Sequence, residues 1–205
     1  LYMCKIIVDF EMNCGMKREI IEVGAVRLNE KNQVFSEFCS YVRPRNHISK
    51  RTFSLTGIKQ SDVVKALELK EVLDDFLEWI GDDCTAIYSW SSNDLLQLEK
   101  ECAEKRIENN ELRRIFSIWH DYQKEFGELL HYNGQLSLKN AVSAIDSSFI
   151  GKQHSALNDA RNTAVVFEVA HGSSKNQVLQ NIKEWFTASQ SGITIGELFP
   201  DLALL

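Results

Sequence analysis

Residues 8–11 read Val-Asp-Phe-Glu and close an otherwise apolar run, Ile6-Ile7-Val8. Residues two apart on a strand project to one face, so Asp9 and Glu11 point the same way. Two anions side by side at a core edge repel each other unless cations neutralise them. A third carboxylate, Asp94, follows a short apolar segment in Ser89-Trp-Ser-Ser-Asn-Asp94, at the expected start of a helix. His154 and Asp159 stand in His-Ser-Ala-Leu-Asn-Asp, with the histidine on a loop after Gly151 and the aspartate inside the helix that follows. Each residue alone has a plainer reading: a strand end splayed into solvent, a helix cap, a surface histidine, a first-turn acid. Together, four carboxylates and one histidine fall at the ends of regular elements. Hard oxygen ligands without cysteine suit Mg²⁺ or Mn²⁺ rather than zinc. Two such ions serve in-line phosphoryl transfer, and a loop histidine titrates near neutral pH.

The elements that must position these groups follow from hydrophobic periodicity. Residues 4–10 read as a buried strand, apolar on both faces. Residues 19–28 and 34–42 read as two more, joined by the polar turn 29–32, so an antiparallel meander is expected. Val72, Leu73, Phe76, Leu77 and Ile80 recur at helical spacing over 68–80, with Gly81 as the stop. A strand over 84–89 and a helix over 93–105 come next. Residues 113–118 (RRIFSI) read as a further strand, leading into a helix capped by Asp121; Ser137 caps a short helix over 138–145. The spacing predicts a late helix over 156–171 and one more over 177–188. The fold class expected is α/β, with a mixed sheet of about five strands flanked by helices.

The composition agrees with one soluble globular domain. Apolar residues make up 44% of 205 and charged residues 25%, which excludes a disordered chain or a simple coiled coil. No apolar run approaches the roughly 18 residues of a membrane span. The net charge of −6 excludes nucleic-acid coating through a global basic field, so such contact must be local or through bound cations. Five cysteines without a CxxC pair form no disulfide framework and suit a reducing compartment, the cytosol by default. Cys4, Cys39, Cys84 and Cys102 read as inert core thiols.

These motifs resemble the DEDDh 3'-to-5' exonucleases of the DnaQ-like group, on the ribonuclease H-like fold. Val8-Asp9-Phe10-Glu11, Trp90-Ser-Ser-Asn-Asp94 and His154-Ser-Ala-Leu-Asn-Asp159 match the family's three motifs in order. Glu19-Ile-Ile-Glu-Val-Gly-Ala-Val26 resembles its second strand, and Leu55-Thr-Gly-Ile58 the loop that meets the substrate 3' end. The resemblance covers roughly 4–170. It implies an exonuclease domain over 1–171, with a helix and tail over 172–205 packed on it or extending it. It also implies that Asp9, Glu11, Asp94 and Asp159 hold two Mg²⁺ or Mn²⁺ ions. His154 would be the general base, and Met12, Leu55 and Ile58 would contact the terminal nucleotide. Cys14, in Asp-Phe-Glu-Met-Asn-Cys, is similar to the DFEATC form of the branch that trims RNA 3' ends, which tilts the substrate from DNA towards RNA. Asn13 stands near where relatives carry Thr, and its amide can donate to a phosphate or base. The basic, polar stretch 43–51 could track a single strand.

Two other functions remain open from sequence: a proofreading exonuclease working beside a polymerase, and a regulatory protein-binding module on the same fold. The apolar end, 198–205, suits a partner-binding or dimer element.

Overall fold

The structure is a computed structural model that describes residues 4–172 except 16, 133 and 146, together with residues 176, 179, 180, 182 and 184. Five strands form one sheet: β1 (Cys4–Cys14), β2 (Arg18–Leu28), β3 (Val34–Tyr41), β4 (Cys84–Ser89) and β5 (Trp119–Asp121). Their spatial order is β3-β2-β1-β4-β5. β1 pairs antiparallel with β2 and β2 with β3, while β4 runs parallel to both β1 and β5. This is the mixed five-stranded sheet that the meander and the later crossovers predict.

Alternation along β1 divides the core. Ile6, Val8 and Phe10 face one side, with Phe76 and Ile80 of α3 (Leu69–Ile80), Leu98 of α4 (Asn93–Lys105) and Ile115 of α5 (Asn110–Ser117). Ile7 faces the other side, with Tyr122 and Phe126 of α6 (Tyr122–Leu130), Val142 of α7 (Leu138–Ala144) and Phe167 of α8 (Ala156–His171). The sheet is thus covered on both faces, as a largely buried central strand requires.

Sequence and structure part at three places. β1 continues past residue 10 to Cys14, so Asp9 and Glu11 lie within a paired strand and not at a splayed end. Residues 110–117 form a helix, not a strand. Asn109 caps it by accepting Leu112 N, and Leu112 and Ile115 are buried while Arg114 reaches Glu111 across one turn. A six-residue apolar-polar run fits either period, and the cap decides it. The strand is only the three residues that follow. Finally, the polar stretch after β3 hides two short helices, α1 (Lys50–Thr56) and α2 (Gln60–Val63). Ser49 caps α1 and Gly57, at φ 80°, ends it. Helices this short carry too little periodicity to be read.

Asp121 and Ser137 cap α6 and α7 as expected, accepting Lys124 N and Asn140 N. Cys4, Cys84 and Cys102 are buried, but Cys39 is exposed because β3 is an edge strand. The helix expected over 177–188 and the apolar tail to 205 lie mostly outside the described residues. Leu179 and Ile182 are buried in the second core. Among the described residues no helix is long and apolar enough to cross a membrane.

Candidate active site

The site forms where the pairing of β1 with β4 stops. That ladder runs only from Cys4–Cys84 to Ile7–Tyr88, which leaves the far half of β1 without a neighbour on that edge. Crevices of this kind, beyond the carboxyl ends of parallel strands, are where open α/β sheets bind ligands. The free Phe10 N–H donates to Asp94 Oδ1 at 3.0 Å, so the open strand edge fixes the carboxylate of α4. Asp94 is 6% exposed, in the first turn of α4. Asp121 holds the preceding loop by accepting Ser92 N at 3.1 Å while it caps α6.

α8 arrives from the other face. Its first turn crosses β2 at Gly24, the partner of Asp9 across the ladder. A Cβ at Gly24 would lie 2.1 Å from Leu157 N and 2.2 Å from the carbonyl carbon of Ala156. Only glycine admits the helix this close, and the approach brings Asp159 to the carboxylates of β1. The start of α8 is held by Glu22, whose Oε2 accepts Ala156 N at 2.9 Å. Ser155, the residue at the N-cap, makes no side-chain cap bond, so the strand supplies the cap.

His154 lies on the loop before α8, exposed, with φ 60°. Its N–H donates to Asp159 Oδ2 at 3.2 Å. The loop is tied down at Lys152, whose Nζ donates to Thr56 O at the end of α1 at 3.0 Å. Ligand atoms of Glu11, His154 and Asp159 all lie within 4.8 Å of one another. The structure thus gathers Glu11, His154 and Asp159 into one cluster, with Asp9 and Asp94 outside that ligand group but near enough for their charges to act on it.

Glu22 is a fifth acid that the motif reading passed over. It stands opposite Glu11 in the ladder and is 5% exposed. The signal was a lone glutamate inside a strand that is otherwise apolar, Ile20-Ile21-Glu22-Val23.

The crowding shows in the acidities. Burial first, then the charges of Asp94, Asp159, Glu11 and Glu22, holds Asp9 well above the usual carboxylate range. Burial, with Asp159 and Glu22 next, pushes Glu11 up to about 8. Burial raises Asp94 to about 7 against the opposing hydrogen bond from Phe10 N, and Asp159 to about 6 against that from His154 N. Burial also raises Glu22, although Ala156 N opposes it. His154 moves the other way: burial, then Lys152, lowers it. Asp159 Oδ1 is buried with no hydrogen-bond partner. Mutually repelling carboxylates, one with an orphaned oxygen, fit divalent cations on oxygen ligands. The first turns of α4 and α8 also converge here, adding partial positive charge.

The remaining candidates divide. Leu55 is exposed on α1 and Met12 is half-buried against the first core. Ile58 is 5% exposed and packs with Ile21 and Val63. That small cluster exists because the β1–β2 register shifts between Glu11 and Met12, a bulge that leaves Ile21 without a ladder partner. Asn13 is not available to substrate. It is fully buried, its Nδ2 donates to His47 O, and its Oδ1 accepts Ser49 N and Thr52 Oγ1 at 3.0 Å each. The amide anchors the segment leading into α1.

Known proteins resemble this chain in sequence and in fold. Human ERI1 exoribonuclease 2 is 32% identical over 193 residues, covering 78% of this chain and 27% of its own length. The Drosophila melanogaster 3'-5' exonuclease Snipper is 27% identical over 198 residues, covering 78% of this chain and 66% of its own. The chain thus spans about a quarter to a third of the length of the ERI1 exoribonuclease 2 relatives. The crystallographic structure of the nuclease domain of 3'hExo, a DEDDh family member bound to rAMP, superposes with a TM-score of 0.73. It is 25% identical and covers 82% of this chain and 92% of that one. The RNase_T exonuclease family model matches residues 6–167, from the first core strand into the helix that carries Asp159, and the chain belongs to that family.

Proposed function

We propose that the chain is a metal-dependent exonuclease that removes nucleotides from the 3' end of single-stranded RNA, releasing nucleoside 5'-monophosphates. The observation that carries this reading is the convergence of Asp9 and Glu11 from β1 with Asp94 from α4 and Asp159 from α8. These four would hold two Mg²⁺ or Mn²⁺ ions. When bound, the ions supply the positive charge that acidifies a water and stabilises the departing oxygen.

The chain's own groups do the rest. Glu22 and Gly24 set the start of α8, and with it Asp159, against β1. His154, kept neutral by its lowered pKa, accepts the proton of the attacking water at a ring nitrogen. The water oxygen bonds to phosphorus as the bond from phosphorus to the 3' oxygen breaks. That oxygen stays on the shortened strand. Leu55 and Met12 would meet the terminal base, while Ile58, buried against Ile21 and Val63, would act through packing of the loop after α1.

RNA is favoured because the ERI1 relatives are named exoribonucleases. The free thiols suit a reducing compartment, and the cytosol is the location we propose. The test is a comparison of kcat/KM on matched single-stranded RNA and DNA in Mg²⁺, with EDTA as control. A higher value for RNA, abolished by EDTA, is expected. Equal or better cleavage of DNA would remove the substrate assignment, and cleavage in EDTA would remove the metal.

A further inference from the structure

A cleft of about 330 Å³ opens between the start of α3 and the end of α4, away from the carboxylates. Arg43, Arg45, Lys70, Lys105 and Arg106 line it with a single acid, Glu68, in a chain whose net charge is −6. Three of these cations are already engaged. Arg43 pairs with Glu68 at 2.8 Å, Lys70 with Asp74 at 2.7 Å, and Lys105 with Glu101, itself 2% exposed, at 2.8 Å. Arg45 and Arg106 are exposed, and neither guanidinium forms an ion pair among the described residues. A helix C-terminus explains a cation at Arg106. It does not explain Arg45, which comes from a different segment.

Arg45 is held there by construction. The buried carboxylate of Glu19 accepts Arg45 N at 2.9 Å, Asn46 N at 3.0 Å and Asn46 Nδ2 at 2.7 Å. Glu19 pairs with Asn13 across the β1–β2 ladder, two residues beyond Glu11, so the clamp is continuous with the strand that bears the site. Arg106 ends α4 in the left-handed region at φ 55°. The helix also connects the two places. From Asp94 to Lys105 it rises about 16 Å at 1.5 Å per residue. Arg18 stands between them: its carbonyl accepts Gln97 Nε2 at 2.9 Å, and its charge lowers the pKa of Asp94.

We propose that this cleft is a phosphate-binding subsite for the substrate strand, in which Arg45 and Arg106 grip the backbone of single-stranded RNA upstream of the cleaved end. The placement rests on the exonuclease reading of the carboxylate site. A stacked strand carries one phosphate about every 3.4 Å, so 16 Å corresponds to roughly five nucleotides. Contacts to phosphate position a strand without reading its sequence. The subsite therefore acts on length, not on base identity.

The test pairs kinetics with binding, using the double variant Arg45→Gln/Arg106→Gln. Both side chains are exposed, so the fold should tolerate the change. On a 12-nucleotide RNA, KM should rise about fivefold or more at unchanged kcat, whereas on a trinucleotide both constants should stay as in the wild type. Arg45→Lys/Arg106→Lys should restore most of the loss, since lysine also binds phosphate as a point charge. Anisotropy of the labelled 12-mer in EDTA should show a slope of log K against log salt shallower by about 1.4 for two lost contacts. Equal changes on both lengths, or an unchanged salt slope, would overturn the subsite. A shallower slope in a protein that cleaves neither RNA would support the contact and sink the exonuclease reading instead.

Discussion

The carboxylate of Glu22, on the second strand, accepts the backbone N–H of Ala156 at the first turn of the last long helix, 2.9 Å away. One residue thereby couples the sheet to the helix that carries Asp159, while its charge adds to the repulsion felt by Asp9, Glu11 and Asp159. The two roles separate by substitution. Glu22→Gln keeps an acceptor and removes a charge, so in EDTA it should melt at or above the wild-type temperature. Glu22→Ala leaves the Ala156 N–H buried without its partner and should cost about 1–3 kcal/mol. Thermal melts of both variants in EDTA check this, and a Gln variant as unstable as the Ala variant would contradict it.

Gly24→Ala places a Cβ against backbone atoms of Ala156 and Leu157, which cannot swing aside as a side chain can. The start of α8 must move off the sheet, taking Asp159 with it. We expect a loss of more than about 2 kcal/mol in stability, and turnover reduced by about 10²-fold or more in what remains folded. Urea unfolding together with a turnover assay reads both.

The raised carboxylates set a pH dependence for the metal-free protein. Their folded pKa values, about 8 for Glu11, 7 for Asp94 and 6 for Asp159, lie above the ordinary carboxylate range. The folded state then binds more protons than the unfolded one, so these groups withdraw stability as pH rises from about 4 to 8. Glu19 and Glu37, lowered by hydrogen bonds and by Arg161, act in the opposite sense and lose their contribution as pH falls. Melting in EDTA should therefore weaken from pH 6 to pH 8. Mg²⁺ should flatten that decline, because it neutralises the same charges. A metal-free melting temperature that climbs over this window would contradict the cluster's electrostatics.

His154→Ala should lower kcat by about 10²-fold or more while leaving the melt unchanged, since the ring is exposed. Burial and Lys152 depress its pKa, so the wild-type rate profile at saturating Mg²⁺ should change shape on its acidic side in His154→Ala. An acidic limb identical in the two proteins would assign the proton acceptor elsewhere.

Asn13→Ala removes three hydrogen bonds to residues 47–52 at a fully buried position. A loss of about 1–3 kcal/mol is expected, with KM rising because Leu55 sits on the helix that this segment starts. Unchanged stability would show the anchoring to be dispensable.

Much of this was legible in the chain. Asp9, Glu11, Asp94, His154 and Asp159 stand out in the chain because their polar motifs interrupt or adjoin segments with clear hydrophobic periods, even though β1 runs on past Asp9 and Glu11 to Cys14. The sheet could be read because its apolar strands alternate with capped helices. Glu22 was hidden because a buried acid inside an apolar strand acquires its role only from Ala156, 134 residues away. The anchoring role of Asn13 is hidden for the same reason: its partners belong to a segment whose short helix leaves little periodic trace. The helix over 110–117 depended on one cap, Asn109, that a six-residue window does not contain.

The most direct test of the carboxylate site follows 5'-labelled single-stranded RNA over time in Mg²⁺ with the wild type and with Asp9→Asn, both checked for native circular dichroism. The wild type should shorten the strand from its 3' end one nucleotide at a time, and the folded variant should leave it intact. A variant that cleaves as fast as the wild type would show that Asp9 holds no ion needed for the reaction.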